Sequence, residues 1–573
     1  MELEALIVNA KVYNSYLKKF IEANVGLTGG KFVYIGPLND NSFQVKEVID
    51  ARGNYMIPGL IDIHLHIEST MVTPESFSYG LIKNGVTTVV ADPHEMANIF
   101  GVEGIQEMIK AGRRCVADIL TGIPSSVPST SRELETTGGE IGIEEIDQLL
   151  QAYREDIACL GEVMNYYEVI NDPRGRMNTM LAHIKDKYPE LVIEGHCPNL
   201  MDLDLTKFIL SGVDSDHTHQ TVAGMEERIR NGMFIEIQEK SMSSEVINYL
   251  IEHDVSEHFC FVTDDVMPDS FVEKGHLNFL LKKAINMGME PEKAIYACTY
   301  TPSQRMKLTD RGCIAPNRIA DFALLSDLHD VVIEQVYKNG KKAYDKKEEY
   351  IQPSQQHVFP QKFYHSVKLS RLTRDDFVIR APIEEGSITC RVMMVSNGTT
   401  FTKEFVHELP VENGVVNYEA SPYCFVGVFE RHGLNGDRGV GLVGGNVIKR
   451  GAVATTYAHD HHNLLVIGKN ITDMIVAANE VINHQGGYCT VDNGRILSSF
   501  KLPVGGVLSD LPLEHVAVKV KELRESLIDL GYEHYNPIMS LSTICLPVSP
   551  ELKVTDRGLI DVNNSKIVDL FIH

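Results

Sequence analysis

The sequence has no surplus of basic residues. Its 53 Lys and Arg face 78 Asp and Glu, a formal net charge of −25 over 573 residues. Such a balance argues against a nucleic-acid backbone or an anionic membrane as the main partner, because both repel an acidic chain. No apolar run reaches the ~18 residues of a membrane-spanning helix. The first residues, MELEALIVNAKVYN, carry two early acids and no basic segment before an apolar one, so they do not read as a secretory signal. The ten cysteines include no C-x-x-C pair. A chain this long needs no disulfide staples, so free thiols in a reducing cytoplasm are expected. Tryptophan is missing altogether, which excludes nothing.

What is present is ordinary for a water-soluble protein, with 43% hydrophobic and 23% charged residues. The length exceeds what one core organises, so two to four domains are expected. The chain is organised around residues 57–70, IPGLIDIHLHIEST. Pro58-Gly59 ends what precedes, and Leu60, Ile61, Ile63, Leu65 and Ile67 make the stretch a buried strand. His64 and His66 are two apart, so both rings leave the same side of that strand. Two converging neutral imidazoles are half of a site for a first-row divalent metal. Alone, they could equally be two histidines hydrogen-bonded in a core.

Of the next seven apolar, β-rich runs, five have His or acidic residues at or near their ends and two carry an acid inside. VTTVVADPHE ends at Asp92 and His94, CVADILTG contains Asp118, and DIACLGEVMN has Glu162 near its end. ELVIEGHCPN ends at His196, SGVDSDHTH carries Asp216, His217 and His219, GMFIEIQE contains Glu236, and HFCFVTDDV ends at Asp264-Asp265. Helix-length segments separate the runs, as after Thr73-Pro74, where Phe77 and Leu81 share a face before Asn84-Gly85. Eight strands alternating with helices predict an α/β fold with parallel strands, a (β/α)8 TIM-type barrel over residues 58–307. An open doubly wound sheet is the alternative, and it would not bring the first and eighth strands together. Short strands in residues 1–57 and again over 308–350 predict one β unit built from both flanks of the barrel. Residues 351–370 read as a linker or surface wrap, and 371–573 as a further region. That region should hold a helix from about Thr472 to Gly486-Gly487. Near the end of the barrel, a short helix is expected from Ala294 to Tyr300.

In a barrel, the carboxyl ends of the strands build the active site. Here they supply His64, His66, Glu162, His196, His217 and Asp264. That set suits a two-metal site, with imidazoles for each ion, a carboxylate between them and an acid beside the open position. Asp264 is placed to take a proton from water and return it to the leaving group. Glu162 could instead be a barrel-mouth acid paired with a lysine. His94 and Glu95 are candidates for contact with substrate or for bracing the ligands. His219 is a weaker ligand candidate, and Glu236, in mid-strand, reads as structural. The dense group Tyr457, His459, Asp460, His461, His462 and Asn463 reads as a separate metal site, a solvated loop or a flap over the barrel mouth. The run GLNGDRGVGLVGGN lacks both G-K-[ST] and G-x-G-x-x-G spacing, so tight turns are a better reading than a phosphate loop.

PGLIDIHLHIEST followed by VTTVVADPHEMANIFG resembles the amidohydrolase superfamily, and within it the bacterial adenine deaminases. GCIAPNRIADFALL, the SDH at 215–217, the TDD at 263–265, GHLNFLLKKAI, AHDHHN and the helix ending in QGG extend the likeness over nearly the whole chain. The resemblance implies a (β/α)8 barrel with a flanking β-sandwich and an additional C-terminal α+β domain. It implies two divalent metal ions, manganese or iron(II), held by His64, His66, Glu162, His196, His217 and Asp264. It implies hydrolytic deamination of adenine to hypoxanthine and ammonia in purine salvage, by a metal-bound hydroxide attacking C6. Asp264 would then move protons, Glu162 could assist at a ring nitrogen, and Asp265, His459 and His461 become further candidates for contact with substrate. Adenine is thus the expected small-molecule partner, and a cytoplasmic homo-oligomer the expected state. Thr218, Val266, Asn317 and His461 depart from the residues usual in the family at those points, and the first two bear on ring selectivity. The rival readings are another metal-dependent amidohydrolase, acting on a different purine or a cyclic amide, and a catalytically silent scaffold on the same barrel.

Overall fold

The computed structural model of the chain describes residues 2–37, 43–352 and 357–572. Residues 38–42 of the flanking β unit and residues 353–356 of the expected linker lie outside those residues. Eight strands follow one another through the middle of the chain: β1 (Leu60–Leu65), β2 (Val86–Ala91), β3 (Asp118–Ile123), β4 (Ile157–Val163), β5 (Val192–Gly195), β6 (Ser215–Asp216), β7 (Phe234–Ile237) and β8 (Phe259–Phe261). A helix lies in every interval between them, beginning with α1 (Pro74–Lys83) and α2 (His94–Phe100). β1 to β5 form one parallel sheet and β6 to β8 a second, and together they make a curled parallel arrangement. β1, β2 and β5 are buried at every position. Parallel strands covered by helices have no wet face, so their sequences run almost continuously apolar.

Between β5 and β6, side chains take over from the backbone ladder. The Gly195 amide donates to Ser215 Oγ (3.0 Å), and the Cys197 amide donates to Asp216 Oδ1 (3.1 Å). A Cβ on Gly195 would lie 2.3 Å from the Ser215 carbonyl oxygen, so the approach is open only to glycine. At the other edge, Leu65 bridges Asp264 in parallel register. The Asp264 amide donates to His64 O (3.0 Å) and the His66 amide to Asp264 O (3.3 Å). Asp62 adds a second tie, accepting from Thr263 Oγ1 at 2.7 Å. The helix expected from Ala294 to Tyr300 is instead two, Pro291–Ala297 and Tyr300–Arg305. Pro302 has no N–H for the carbonyl four residues back. That carbonyl, on Cys298, accepts the Ile61 amide of β1 instead (2.9 Å).

The flanks share one sheet of eight strands, five from residues 2–58 and three from 322–345. Tyr55–Pro58 pairs antiparallel with Phe322–Asp327. Ile7, Val12, Phe32, Met56 and Phe322 form its buried core. Strand begins only at Phe322; residues 310–321 are turn and loop. The segment from His357 to 370 is packed down rather than loose: Phe359 and Phe363 are buried, and Phe363 stacks on Phe100 with ring centroids 3.9 Å apart.

Beyond it, strands between Gly386 and Lys501 form a nine-stranded sheet, covered by α3 (Ile471–His484). Asn470 caps α3 by accepting from the Asp473 amide at 2.9 Å. The glycine-rich run is turn and strand. Its strand, Arg438–Gly445, takes the close approach of the last small sheet, where a Cβ on Gly439 would meet Thr555 O at 1.9 Å. In the turn, the Glu430 carboxylate accepts from the amides of Gly433, Leu434, Asn435 and Gly436 at 2.8–3.1 Å. The loop's own side chain therefore occupies the donors a phosphate would need. All ten cysteines are unpaired. Among the described residues, no helix is long and apolar enough to cross a membrane.

Lys553, fully buried in the last sheet, donates to Thr400 O (2.7 Å) and Thr543 O (2.9 Å). Burial lowers its pKa to about 7, whereas an unfolded lysine titrates near about 10.4. Below both values the ammonium is charged in either state. Between them the unfolded chain keeps a proton that the folded chain releases, so this group makes stability rise with pH from about 7 to about 10. Urea midpoints across that window should rise more steeply for the native chain than for Lys553→Met; equal slopes would refute the assignment.

Candidate metal centre

The site grows from the ends of the parallel strands. His64 lies in β1 and His66 directly after it, Glu162 lies in β4, and His196 and His217 directly follow β5 and β6. Asp264 lies three residues past β8 and is held against β1 by the amide exchange described above. Asp264 adopts φ 58°, a left-handed conformation that Asp tolerates better than most residues.

Glu162 sits at the centre with one oxygen toward each of two groups. Its Oε2 is 2.8 Å from His196 Nδ1 and 3.2 Å from His217 Nε2, and those two nitrogens are 3.1 Å apart. Its Oε1 is 3.3 Å from His66 Nε2, which is 3.4 Å from Asp264 Oδ1. His64 Nε2 lies 3.5 Å from the same Asp264 oxygen, and the His64 ring stacks on His217 at 3.8 Å. Ligand atoms about 2.1 Å from a shared ion stand about 3.0–3.4 Å apart, so these spacings suit ligation. The set is imidazole nitrogen and carboxylate oxygen only. His64 Nε2 is buried and, among the described residues, has no hydrogen-bond partner. The residues present therefore fit the divalent ions that the sequence suggests.

Electrostatics keep the acids ionised. Burial alone would push the Glu162 carboxyl up, but contacts from His196, His217 and His66 outweigh it and hold the group well below the usual carboxylate range. Burial likewise opposes ionisation of Asp264, and His64 and His66 reverse it, again to well below the usual range. Burial disfavours protonated His66, yet Asp264 and Glu162 raise it well above its ordinary value. Around this core are residues that fix its geometry. His66 Nδ1 donates to the Asp92 carbonyl (3.0 Å), which leaves Nε2 facing the carboxylates. Asp92 Oδ2 accepts from the Glu162 amide (3.0 Å). Gln238 donates to His217 O (2.6 Å). Buried Arg228 joins the ends of β5 and β6 through Asp216 Oδ2 (2.8 Å) and Cys197 O (2.8 Å).

The other sequence candidates fall in different places. His94 and Glu95 open α2 and are buried, with His94 Nδ1 3.7 Å from Glu162 Oε1. The loop over residues 457–463, buried throughout, comes down from the nine-stranded sheet and sets His459 Nδ1 3.8 Å from Glu95 Oε1. Arg431, fully buried, supports that loop, donating to His462 O and to Ser366 Oγ. His461 faces away from the centre: its Nδ1 accepts from the Asn463 amide (3.0 Å) and its carbonyl pairs with His432. Asp265 accepts a hydrogen bond from Ser69, and Thr218 donates to Asp216 Oδ2 (2.9 Å). His219 is exposed. Glu236 is buried beside Glu194 and Arg305. Asp92, Asp216 and Arg228 are not among the site residues expected from the sequence, and Asp460 is expected only as a member of the 457–463 group. Asp92 and Asp216 are marked only by their place near strand ends and Asp460 only by the His/Asp cluster, whereas Arg228, on the helix Val222–Arg230, carries no local signal.

A profile of the amidohydrolase family matches residues 55–343, and one of the adenine deaminase C-terminal domain matches 399–566. Over all of both chains, the sequence is 54% identical to adenine deaminase 2 of Shouchella clausii (strain KSM-K16). It is 49% identical to the adenine deaminase of Clostridium perfringens, again over all of both chains. A crystal structure of an adenine deaminase superposes with a TM-score of 0.45 at 16% identity, covering 60% of this chain and 100% of that one. The chain belongs to the amidohydrolase family and, within it, to the adenine deaminases.

Removing one partner of a buried ion pair leaves the other uncompensated, at a cost of about 3–5 kcal/mol. Arg228→Met should therefore lower unfolding stability by about that amount and weaken metal retention through His196 and His217. Urea denaturation and metal analysis of the variant check both; an unchanged variant would show that Arg228 holds neither strand end.

Proposed function

We propose that the chain hydrolyses adenine to hypoxanthine and ammonia, in purine salvage, with two divalent ions held by His64, His66, Glu162, His196, His217 and Asp264. The observation that carries this reading is Glu162, whose two oxygens serve two separate groups of imidazoles. Manganese or iron(II) suits donors that are all nitrogen or oxygen, with no thiol among them. Bound there, such ions lower the pKa of water toward neutrality and polarise the ring carbon–nitrogen bond. Asp264, kept ionised, accepts the water proton as the new C–O bond forms at C6 of the ring. It returns that proton to the exocyclic nitrogen as the C–N bond breaks, and ammonia departs. Glu162 is the second catalytic candidate; ionised at the outset, it can accept a proton but has none to give.

The same reading assigns the parallel strands to one (β/α)8 barrel over residues 58–307. The Leu65–Asp264 bridge and the hydrogen bonds between the ends of β5 and β6 support it. Residues 1–57 and 308–350 then form a flanking β-sandwich, 351–370 the connection, and 371–573 an α+β C-terminal domain. The unpaired cysteines suit the cytoplasm.

Manganese-loaded protein incubated with adenine should release ammonia, with the ultraviolet spectrum shifting to that of hypoxanthine, while adenosine stays intact. A protein that holds its ions yet leaves adenine unchanged would move the substrate to another ring. Asp264→Asn should keep its metal and lose about 10²–10⁴-fold in kcat, whereas His64→Ala should lose metal. A near-native rate in Asp264→Asn would sink the proton-transfer role.

A further inference from the structure

Beside the proposed pair lies a set of donors that the pair does not use. His94 and Glu95 come from the start of α2, and His459 and Asp460 from the buried 457–463 loop. His94 Nε2 is 3.5 Å from Glu95 Oε1 and 3.9 Å from Asp460 Oδ1. His459 Nδ1 is 3.8 Å from Glu95 Oε1 and 3.5 Å from Asp460 Oδ1. The four atoms thus close a ring in which nitrogen and oxygen alternate. None of the four residues is more than 5% exposed. Both oxygens of Glu95, His94 Nδ1, His459 Nε2 and Asp460 Oδ2 lack a hydrogen-bond partner among the described residues. Among the described residues, the salt-bridge partners of these two carboxylates are imidazoles, with no lysine or arginine, and further carboxylates, Glu68 and Asp265 near Glu95 and Glu162 near Asp460, add to the negative charge.

Two buried carboxylates facing the same two imidazoles, with three of their four oxygens lacking a hydrogen bond and no fixed cation paired to them, are costly to keep charged unless a cation lies between them. Four ligands in a tetrahedron about 2.1 Å from an ion are about 3.4 Å apart. The four edges around the ring, 3.5–3.9 Å, are slightly wider, and His94, His459 and Asp460 each offer a ligand atom within 4.8 Å of the other two, with Glu95 beside them. The geometry points to a third divalent-cation site, held by His94, Glu95, His459 and Asp460 and filled by a first-row metal ion. Two of its ligands belong to the parallel-strand region and two to the C-terminal region. The ion therefore fastens the 457–463 loop onto α2, next to the strand-end cluster. It uses none of the six donors of the proposed pair, so it stands independently of the deaminase reaction.

The test is the metal content of full-length protein purified with excess manganese and then desalted. Counts are taken for the native chain, His459→Ala, Asp460→Asn and, as a reporter on the pair, His217→Ala. Three ions per chain are expected in the native protein and two in either loop variant. A fall from two to one in the loop variants would keep this site and remove one ion from the proposed pair. Equal counts in the native protein and both loop variants would overturn the site. An anomalous-difference map of the manganese-loaded native protein needs no variant. A peak between His94, Glu95, His459 and Asp460 is expected; no peak there, whether water or a purine ring fills the space, would overturn it.

Discussion

The carboxylate of Glu162 meets three imidazoles at once, and much of the molecule serves to keep it there. A buried acid stays ionised only if its surroundings favour the charge more than burial opposes it. His196, His217 and His66 supply that favour. They come from the ends of three other strands, so curvature of the parallel sheet is a precondition of the charge. The backbone of Glu162 is tied in turn by Asp92, whose carbonyl also orients His66. Asp216 and Arg228 do the same for His196 and His217. The expensive element is the charge, and the surrounding hydrogen bonds make it affordable by fixing where each ring points.

Much of this was legible in the chain. The alternation of apolar runs with helix-length segments was readable because strands covered by helices must be apolar on both faces. The six strand-end residues were readable because H-x-H puts two rings on one side, and because polar residues ending buried strands have few other uses. They do lie together, within 2.8–3.5 Å of at least one other member. Family resemblance pointed to the same residues and extended the reading to the last region.

What was not legible depended on long-range contact. Nothing in the order of residues said that Arg228, on a helix, would join β5 to β6. The short helix near Ala294 was misjudged at its end because the decisive partner, the Ile61 amide, lies more than 200 residues away. Strands were expected over 308–350, but pairing with Tyr55–Pro58 begins only at Phe322. The 457–463 group could be a separate metal site, a loop or a flap on spacing alone. Its place is fixed by Arg431 and by packing against α2, neither of which leaves a local mark.

The burial of that loop has a consequence for how the chain can be divided. Its side chains lie against His94 and Glu95, so the strand-end cluster has walls from both halves of the chain. The C-terminal region cannot be exchanged or trimmed as an accessory might be. Residues 94–95 and 459–460 form one shared wall, and a gene encoding the first 370 residues alone would specify an enzyme with an open side.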